Sequence, residues 1–217
     1  LAGDQIAEWQ TLYDQTYGGE ATTSDPTFNI TGWNSSYTGL PIAEDEMREW
    51  VDTTVARIQS LRPKRILEIG CGTGLLLSRL APGCERYVAT DFSAAAIQHV
   101  RKATAGNPRF ANVQLHQRLA DDFAGVEPGA FDLVVINSVM QYFPHAQYLT
   151  RVLEGAFSIL APGGRVFAGD LRSLPLLEAY HASVQAHSAP ATLPVGDFCR
   201  RVERAQAVRG PAPDAPH

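Results

Sequence analysis

The sequence predicts an α/β protein built on a doubly wound, mostly parallel sheet. Three observations predict it. From residue 65 onward, short apolar runs of strand length alternate with stretches of helical length, and such alternation demands parallel strands joined by crossover helices. One run, Phe131-Asp132-Leu133-Val134-Val135-Ile136, is almost wholly apolar, as befits a strand covered on both faces. The first run leads into alternating glycines at Gly70, Gly72 and Gly74, which suit a tight strand-to-helix turn that brings backbone close to a ligand.

Each element follows in order. Residues 4–17 read as a helix carrying Ile6, Trp9 and Tyr13. Residues 18–41 are rich in Gly, Ser, Thr and Pro and read as a loop. Residues 44–61 form an amphipathic helix: Glu44, Asp45 and Glu46 complement its dipole, and Met47, Trp50, Val51, Thr54, Val55 and Ile58 share one stripe. Strands and helices then alternate over 65–69, 74–81, 86–90, 93–104, 112–116, 131–136, 146–160, 165–169 and 174–187. The expected organisation is an N-terminal helical lid segment (1–62), a ligand-binding core (63–205) and a linker-like tail (206–217) rich in proline. The chain opens on Leu1 rather than methionine, which suggests a segment of a longer polypeptide.

Bulk properties suit a soluble, cytoplasmic domain. Hydrophobic residues make up 45% of 217, enough to fill one core. The net charge of -5 and the absence of a basic patch argue against a nucleic-acid partner. No apolar run has membrane-spanning length, and no signal peptide is present. Cys71, Cys84 and Cys199 are widely spaced and odd in number, so neither a disulfide framework nor a zinc site is expected. No histidine has metal-ligand spacing, and no metal is expected.

The chemistry gathers at the carboxyl ends of the strands, where ligands bind in open parallel sheets. A dinucleotide loop needs Gly-x-Gly-x-x-Gly/Ala, but Leu75 stands at its third position and the third glycine comes one residue early, at Gly74. Leu75 would crowd a pyrophosphate, and Glu68 would repel one. Glu68 suits a cationic group such as an amino-acid ammonium, whose carboxylate would face the end of the following helix. That pair of charges describes S-adenosylmethionine better than NAD. The same glycines also fit a plain turn. Asp91, roughly 20 residues on, suits two ribose hydroxyls; it also suits the N-cap of the next helix, a role open to Ser93. Asp121 and Asp122 follow the third strand and suit either the adenine amino group or a solvated turn. Asn137 emerges at the end of the fourth strand.

At this point the chain resembles a known family. The glycine loop, Asp91-Phe92-Ser93, Ala120-Asp121-Asp122-Phe123, the segment 137–144 and Leu160-Ala161-Pro162-Gly163-Gly164-Arg165 are similar to class I S-adenosylmethionine-dependent methyltransferases. Two further blocks, residues 28–39 and 176–185, are similar to methyltransferase domains of polyketide and nonribosomal peptide assembly lines. The resemblance spans roughly residues 4–205. It implies a Rossmann-like core, S-adenosylmethionine as cofactor, and a partner carrier protein bearing a tethered acyl or peptidyl substrate beside neighbouring assembly-line domains. The cofactor set it implies is Tyr37, Glu68, Gly70, Gly72, Gly74, Asp91, Phe92, Asp121, Asp122 and Asn137. It also implies an antiparallel strand pair after the fifth strand, which the sequence does not supply, since residues 202–208 read as helix.

Methyl transfer needs donor and acceptor held in line, and water excluded. A hydroxyl acceptor benefits from a general base, whereas an amine needs only to be unprotonated. His181, in the block 176–185, is the candidate base; the alternative is a helix-face histidine packed between aromatics. Tyr142 is expected to face the acceptor, or else to fill a core position. Tyr37 is expected to touch the methionine portion of the cofactor, and Trp33 to anchor its loop. The expectation is O-methylation of a carrier-tethered hydroxyl, with N-methylation of an aminoacyl group close behind and a carbon acceptor third. Readings from other classes are an NAD-dependent oxidoreductase, against which Leu75 argues, and an inactive docking module, against which the intact glycines and Asp91 argue.

Overall fold

A computed structural model describes residues 2–18 and 25–207. Part of the expected loop (19–24), most of the expected tail (208–217) and the side chain of Ile6 lie outside the described residues. The elements run α1 (Ala2–Gly18), α2 (Glu44–Ser60), β1 (Arg65–Ile69), α3 (Leu77–Leu80), β2 (Arg86–Asp91), α4 (Ala94–Thr104), β3 (Val113–Gln117), β4 (Phe131–Asn137), α5 (Ala146–Ser158), β5 (Leu160–Gly169), α6 (Leu177–Ser188) and α7 (Val195–Ala207). The five strands form one parallel sheet in the order β3-β2-β1-β4-β5. The order reverses between β1 and β4. Register sets Ile69 beside Thr90 on one side and Ile136 on the other, so the strand ends that carry the chemistry finish together.

Alternation along the strands sorts the core into two layers. Ile66, Tyr87, Ala89, Leu133 and Val135 face α2, α3 and α4. Leu67, Ile69, Val88, Val134 and Ile136 face α5. Every one of these side chains is buried, as crossover helices on both faces require.

Three elements depart from expectation. The helix after the glycine loop covers only Leu77–Leu80, because Ala81-Pro82-Gly83 tightens into a 3-10 turn. One turn of helix carries little dipole, so the expected anion site at its start is weak. β5 begins earlier than expected, at Leu160. Its register on β4 jumps between Phe131 and Leu133, which absorbs Pro162 and the positive-φ Gly163 as a bulge. The segment 118–130 between β3 and β4 holds no helix. Among the described residues no strand follows β5, which is an edge; residues 195–207 form helix α7 instead.

Candidate functional site

The glycine loop leaves β1 with all three glycines at positive φ, 76° at Gly70, 50° at Gly72 and 83° at Gly74. At Gly70 a second constraint acts: a Cβ there would stand 2.4 Å from Cγ2 of Val139, on the segment after β4. The loop is tied to β2, since the N–H groups of Gly70 and Cys71 both donate to the Thr90 carbonyl, at 2.8 and 3.0 Å. Loop residues 27–29 back it from the other side. The Thr73 hydroxyl donates to the Asn29 carbonyl at 2.6 Å, and Phe28 is buried with the Arg48 guanidinium 4.1 Å from its ring centroid. Cys71 is buried and its thiol is pushed well up by that burial, as a space-filling residue rather than a nucleophile would be.

Asp91 closes β2 in the bottom of the crevice. Its Oδ2 accepts the Gly72 N–H at 2.8 Å and its Oδ1 the Ser93 N–H at 2.9 Å. Ser93 caps α4, its Oγ accepting the Ala96 N–H at 3.1 Å, so Asp91 is released from the capping role. Burial pushes the Asp91 carboxyl up to about 6, against the pull of its backbone hydrogen bonds. Phe92 follows, and its carbonyl accepts from the Gln10 and Gln117 amides at 3.0 and 3.1 Å.

Glu68 lies in β1 beneath the loop. It is buried, it accepts the Tyr87 hydroxyl at 2.8 Å, and burial pushes it up to about 8. A carboxyl so placed is largely neutral at pH 7. Its expected pairing with a cofactor ammonium therefore requires that the cation draw its proton off.

The expected N-terminal helical segment supplies a roof, through residues that the sequence alone leaves unassigned. α1 lies across the crevice, tied by Asp14, whose Oδ1 accepts from Ser93 Oγ at 2.5 Å and from the Ala95 N–H at 3.2 Å. Tyr17 brings its hydroxyl over Gly72, 3.5 Å from where a Cβ would be. Tyr13 packs edge-on against Phe92 and Tyr142, with centroids at 5.9 and 5.6 Å, and Trp9 meets Tyr142 at 5.2 Å. Burial drives the Tyr13 and Tyr17 hydroxyls far above the usual phenol range. Tyr142 therefore faces α1, within an aromatic cluster over the crevice.

Beyond β3, Asp121 is engaged by α5: its Oδ2 accepts from Nη2 of Arg151 at 3.0 Å. Asp122 holds a local turn, accepting the Ala124 N–H at 3.0 Å. A cavity of ≈ 360 Å³ opens beside them on the face that the helix-free 118–130 segment leaves thinly covered, lined by Val88, Thr90, His116, Arg118, Leu119 and Phe123 among others. It adjoins the expected adenine end and does not reach the glycines.

Across the switch point, Asn137 closes β4, buried, with its Nδ2 donating to Ser138 Oγ at 3.1 Å. Ser138 Oγ donates in turn to Asp170 Oδ2 at 2.7 Å. His181 stands apart from this network on α6, its ring 5.2 Å from that of Tyr180. Partial burial and the nearby Arg172 hold its imidazole below the usual histidine range. Tyr37 is also at α6: its hydroxyl lies 2.9 Å from Ser183 Oγ and its ring 5.7 Å from His187. The structure thus brings Gly70, Gly72, Gly74, Asp91, Phe92, Asn137 and Tyr142 around one crevice. It sets His181 on α6 with Tyr37 packed against the same helix, and Asp121 and Asp122 beyond β3. Trp33 packs on Trp50 of α2 at 4.7 Å, anchoring the loop that carries Tyr37.

The crevice fits S-adenosylmethionine. Each Asp91 oxygen uses one lone pair on the backbone and keeps another for a ribose hydroxyl. A buried acidic group there repels a phosphate, and Leu75 is itself buried where a dinucleotide loop needs room. Among the described residues no group of three or more His, Cys, Asp or Glu side chains is placed to hold a metal ion, and no helix is long and apolar enough to cross a membrane.

Comparison with known proteins agrees. Residues 67–166 match the family described as a methyltransferase domain. The chain is similar to a chondramide synthase of Chondromyces crocatus, 51% identical over 201 residues, which is 93% of this chain and 5% of that protein. It is also similar to a beauvericin nonribosomal cyclodepsipeptide synthetase of Beauveria bassiana, 35% identical over 205 residues, 91% of this chain and 6% of the synthetase. The chain therefore spans only a small part of the curated relatives it matches. Among solved structures, its fold is similar to that of the N-methyltransferase NodS of Bradyrhizobium japonicum in complex with S-adenosyl-L-homocysteine, with a TM-score of 0.55 and 22% identity over 88% of this chain and 85% of that one. By these motifs, this fold and these relatives, the chain belongs to the class I S-adenosylmethionine-dependent methyltransferases, and over most of its length it is similar to short stretches of a synthase and a nonribosomal synthetase.

Proposed function

We propose that this chain methylates the amine nitrogen of an aminoacyl or peptidyl group held on a carrier protein, in the cytoplasm and beside the other domains of an assembly line. Bound S-adenosylmethionine supplies a methyl group on a positively charged sulfur, already poised to leave. Around it, Gly70, Gly72 and Gly74 give the backbone its close approach, Asp91 takes the ribose hydroxyls, and Phe92 and the Asp121–Asp122 turn border the adenine. Tyr13, Tyr17 and Tyr142 exclude water from above.

The observation that carries the choice of nitrogen is the setting of His181. A base that takes a hydroxyl proton must become a cation. Partial burial and, after it, Arg172 oppose that charge, and among the described residues no carboxylate is hydrogen-bonded to His181 to favour it. An amine acceptor makes no such demand. The hydroxyl reading keeps one point in its favour: lowering the imidazole favours its neutral form, which can accept a proton.

The test uses two thioesters of pantetheine, alanyl and lactyl, which differ only in amine against hydroxyl. After incubation with the chain and S-adenosylmethionine, mass analysis should show a methyl gain on the alanyl thioester, with His181→Ala slowing it less than about threefold, a loss too small for a general base. Methylation of the lactyl thioester alone, abolished by His181→Ala, would restore the hydroxyl reading.

A further inference from the structure

Two strands end in the same unusual way. Ser138 after β4 and Asp170 after β5 both hold left-handed backbone, with φ of 59° and 55°. For residues other than glycine this conformation is uncommon, and it persists where surroundings enforce it, often at functional sites. Among the described residues the third such residue, Arg62, lies ahead of β1, at the opposite end of the sheet. Ser138 and Asp170 are bound side chain to side chain at 2.7 Å, and the Ser138 N–H donates to the Gly169 carbonyl at 3.2 Å. Asn137 supports the pair from beneath through Ser138 Oγ at 3.1 Å. The next residue, Val139, closes on Gly70, so this braced corner borders the cofactor loop on the side away from Asp91.

What the corner presents is acceptor atoms. Asp170 is exposed, and among the described residues its Oδ1 receives no hydrogen bond. Gln141, in the turn after β4, encloses a side-chain oxygen that has no donor among the described residues. Oxygens without donors suit a ligand that brings N–H groups.

Resting on the amine reading above, we infer that Asp170, aligned by Ser138, binds the acceptor amine and sets its nitrogen in line for transfer. The amine arrives protonated and docks on the carboxylate. Once it has lost that proton to solvent, its lone pair forms the N–C bond while the methyl carbon parts from sulfur. The S–C electron pair stays on sulfur, which becomes a neutral thioether, and the methylated nitrogen keeps the positive charge beside Asp170. A second proton then leaves to solvent.

Binding without turnover tests this. With S-adenosyl-L-homocysteine in the crevice, calorimetry measures the affinity of the alanyl thioester. Asp170→Asn should weaken it about tenfold, the loss of one charge-assisted hydrogen bond, and Ser138→Ala about threefold by the same conversion. Affinity for S-adenosyl-L-homocysteine and for the lactyl thioester should stay within about twofold, since neither uses the lost charge. Asp170→Gly separates binding from folding: it relieves the left-handed backbone, so the melting temperature should rise while alanyl affinity still falls. Alanyl affinity unchanged in both Asp170 variants, beside a wild type that methylates the amine, overturns the assignment alone. A wild type that methylates only the lactyl thioester, or neither, overturns the functional reading and this inference with it.

Discussion

Glu68 is buried against a single tyrosine hydroxyl, and its carboxyl is raised to about 8. The folded chain therefore keeps a proton there that the unfolded chain sheds near pH 4.5. Stability from this group is full at low pH and declines as pH rises toward 8. The wild-type melting temperature should fall between pH 5 and 8, and Glu68→Gln, which never ionises, should flatten that fall and gain on the order of a few kcal/mol at pH 8; thermal unfolding across pH reads it directly. Asp91, raised to about 6, acts in the same direction over a narrower and more acid window. Its replacement by Asn sets an amide against the Gly72 or the Ser93 N–H and removes the charge proposed above to face the ribose. Affinity for S-adenosyl-L-homocysteine should drop about tenfold or more in calorimetry. Gly70→Ala meets both a positive φ and Val139 at 2.4 Å, so it should cost about 2 kcal/mol or more in denaturant unfolding.

Among the elements, α1 carries the largest untapped information. Trp9, Tyr13 and Tyr17 lie at four-residue spacing on one helix face, a stripe the sequence shows openly. Periodicity says only that such a stripe is buried; it does not say whether the core or a crevice lies beneath. A lid over residues 1–62 is expected from the sequence, but not its mooring, which is set by Asp14 on Ser93 and Ala95, 79 and 81 residues away in sequence. By contrast β1, β2 and β4 are legible to within a residue, because largely apolar runs that end at Gly70, Asp91 and Asn137 allow few other readings. α3 is shorter than Leu75-Leu76-Leu77 implies, because Pro82 and the turn it imposes cut it short. β5 was undercalled because Pro162 and Gly163 disguise a bulge. His181 lies on α6 and Tyr37, from the loop before α2, packs against the same helix; sequence shows which helix a residue rides and not where that helix is docked. If Asp14 holds α1 down, Asp14→Ala should raise the dissociation rate of S-adenosyl-L-homocysteine about tenfold, the worth of a charge-assisted hydrogen bond, with a smaller change in melting temperature. Stopped-flow displacement measures the first, and calorimetric scanning the second.

At the scale of the whole molecule, stability rests on the middle of the sheet. β4 sits between β1 and β5, and its Leu133, Val134, Val135 and Ile136 alternate between both core layers. Leu133→Ala should lower global stability by about 2–5 kcal/mol in urea unfolding, with one cooperative transition. The crevice is assembled from the ends of three strands and closed by a helix that enters the chain before any of them. That order of assembly has a kinetic consequence. With Tyr13 and Tyr17 seated over the glycine loop, the exchange of spent for fresh adenosyl molecules should be paced by how often one N-terminal helix peels away and resettles.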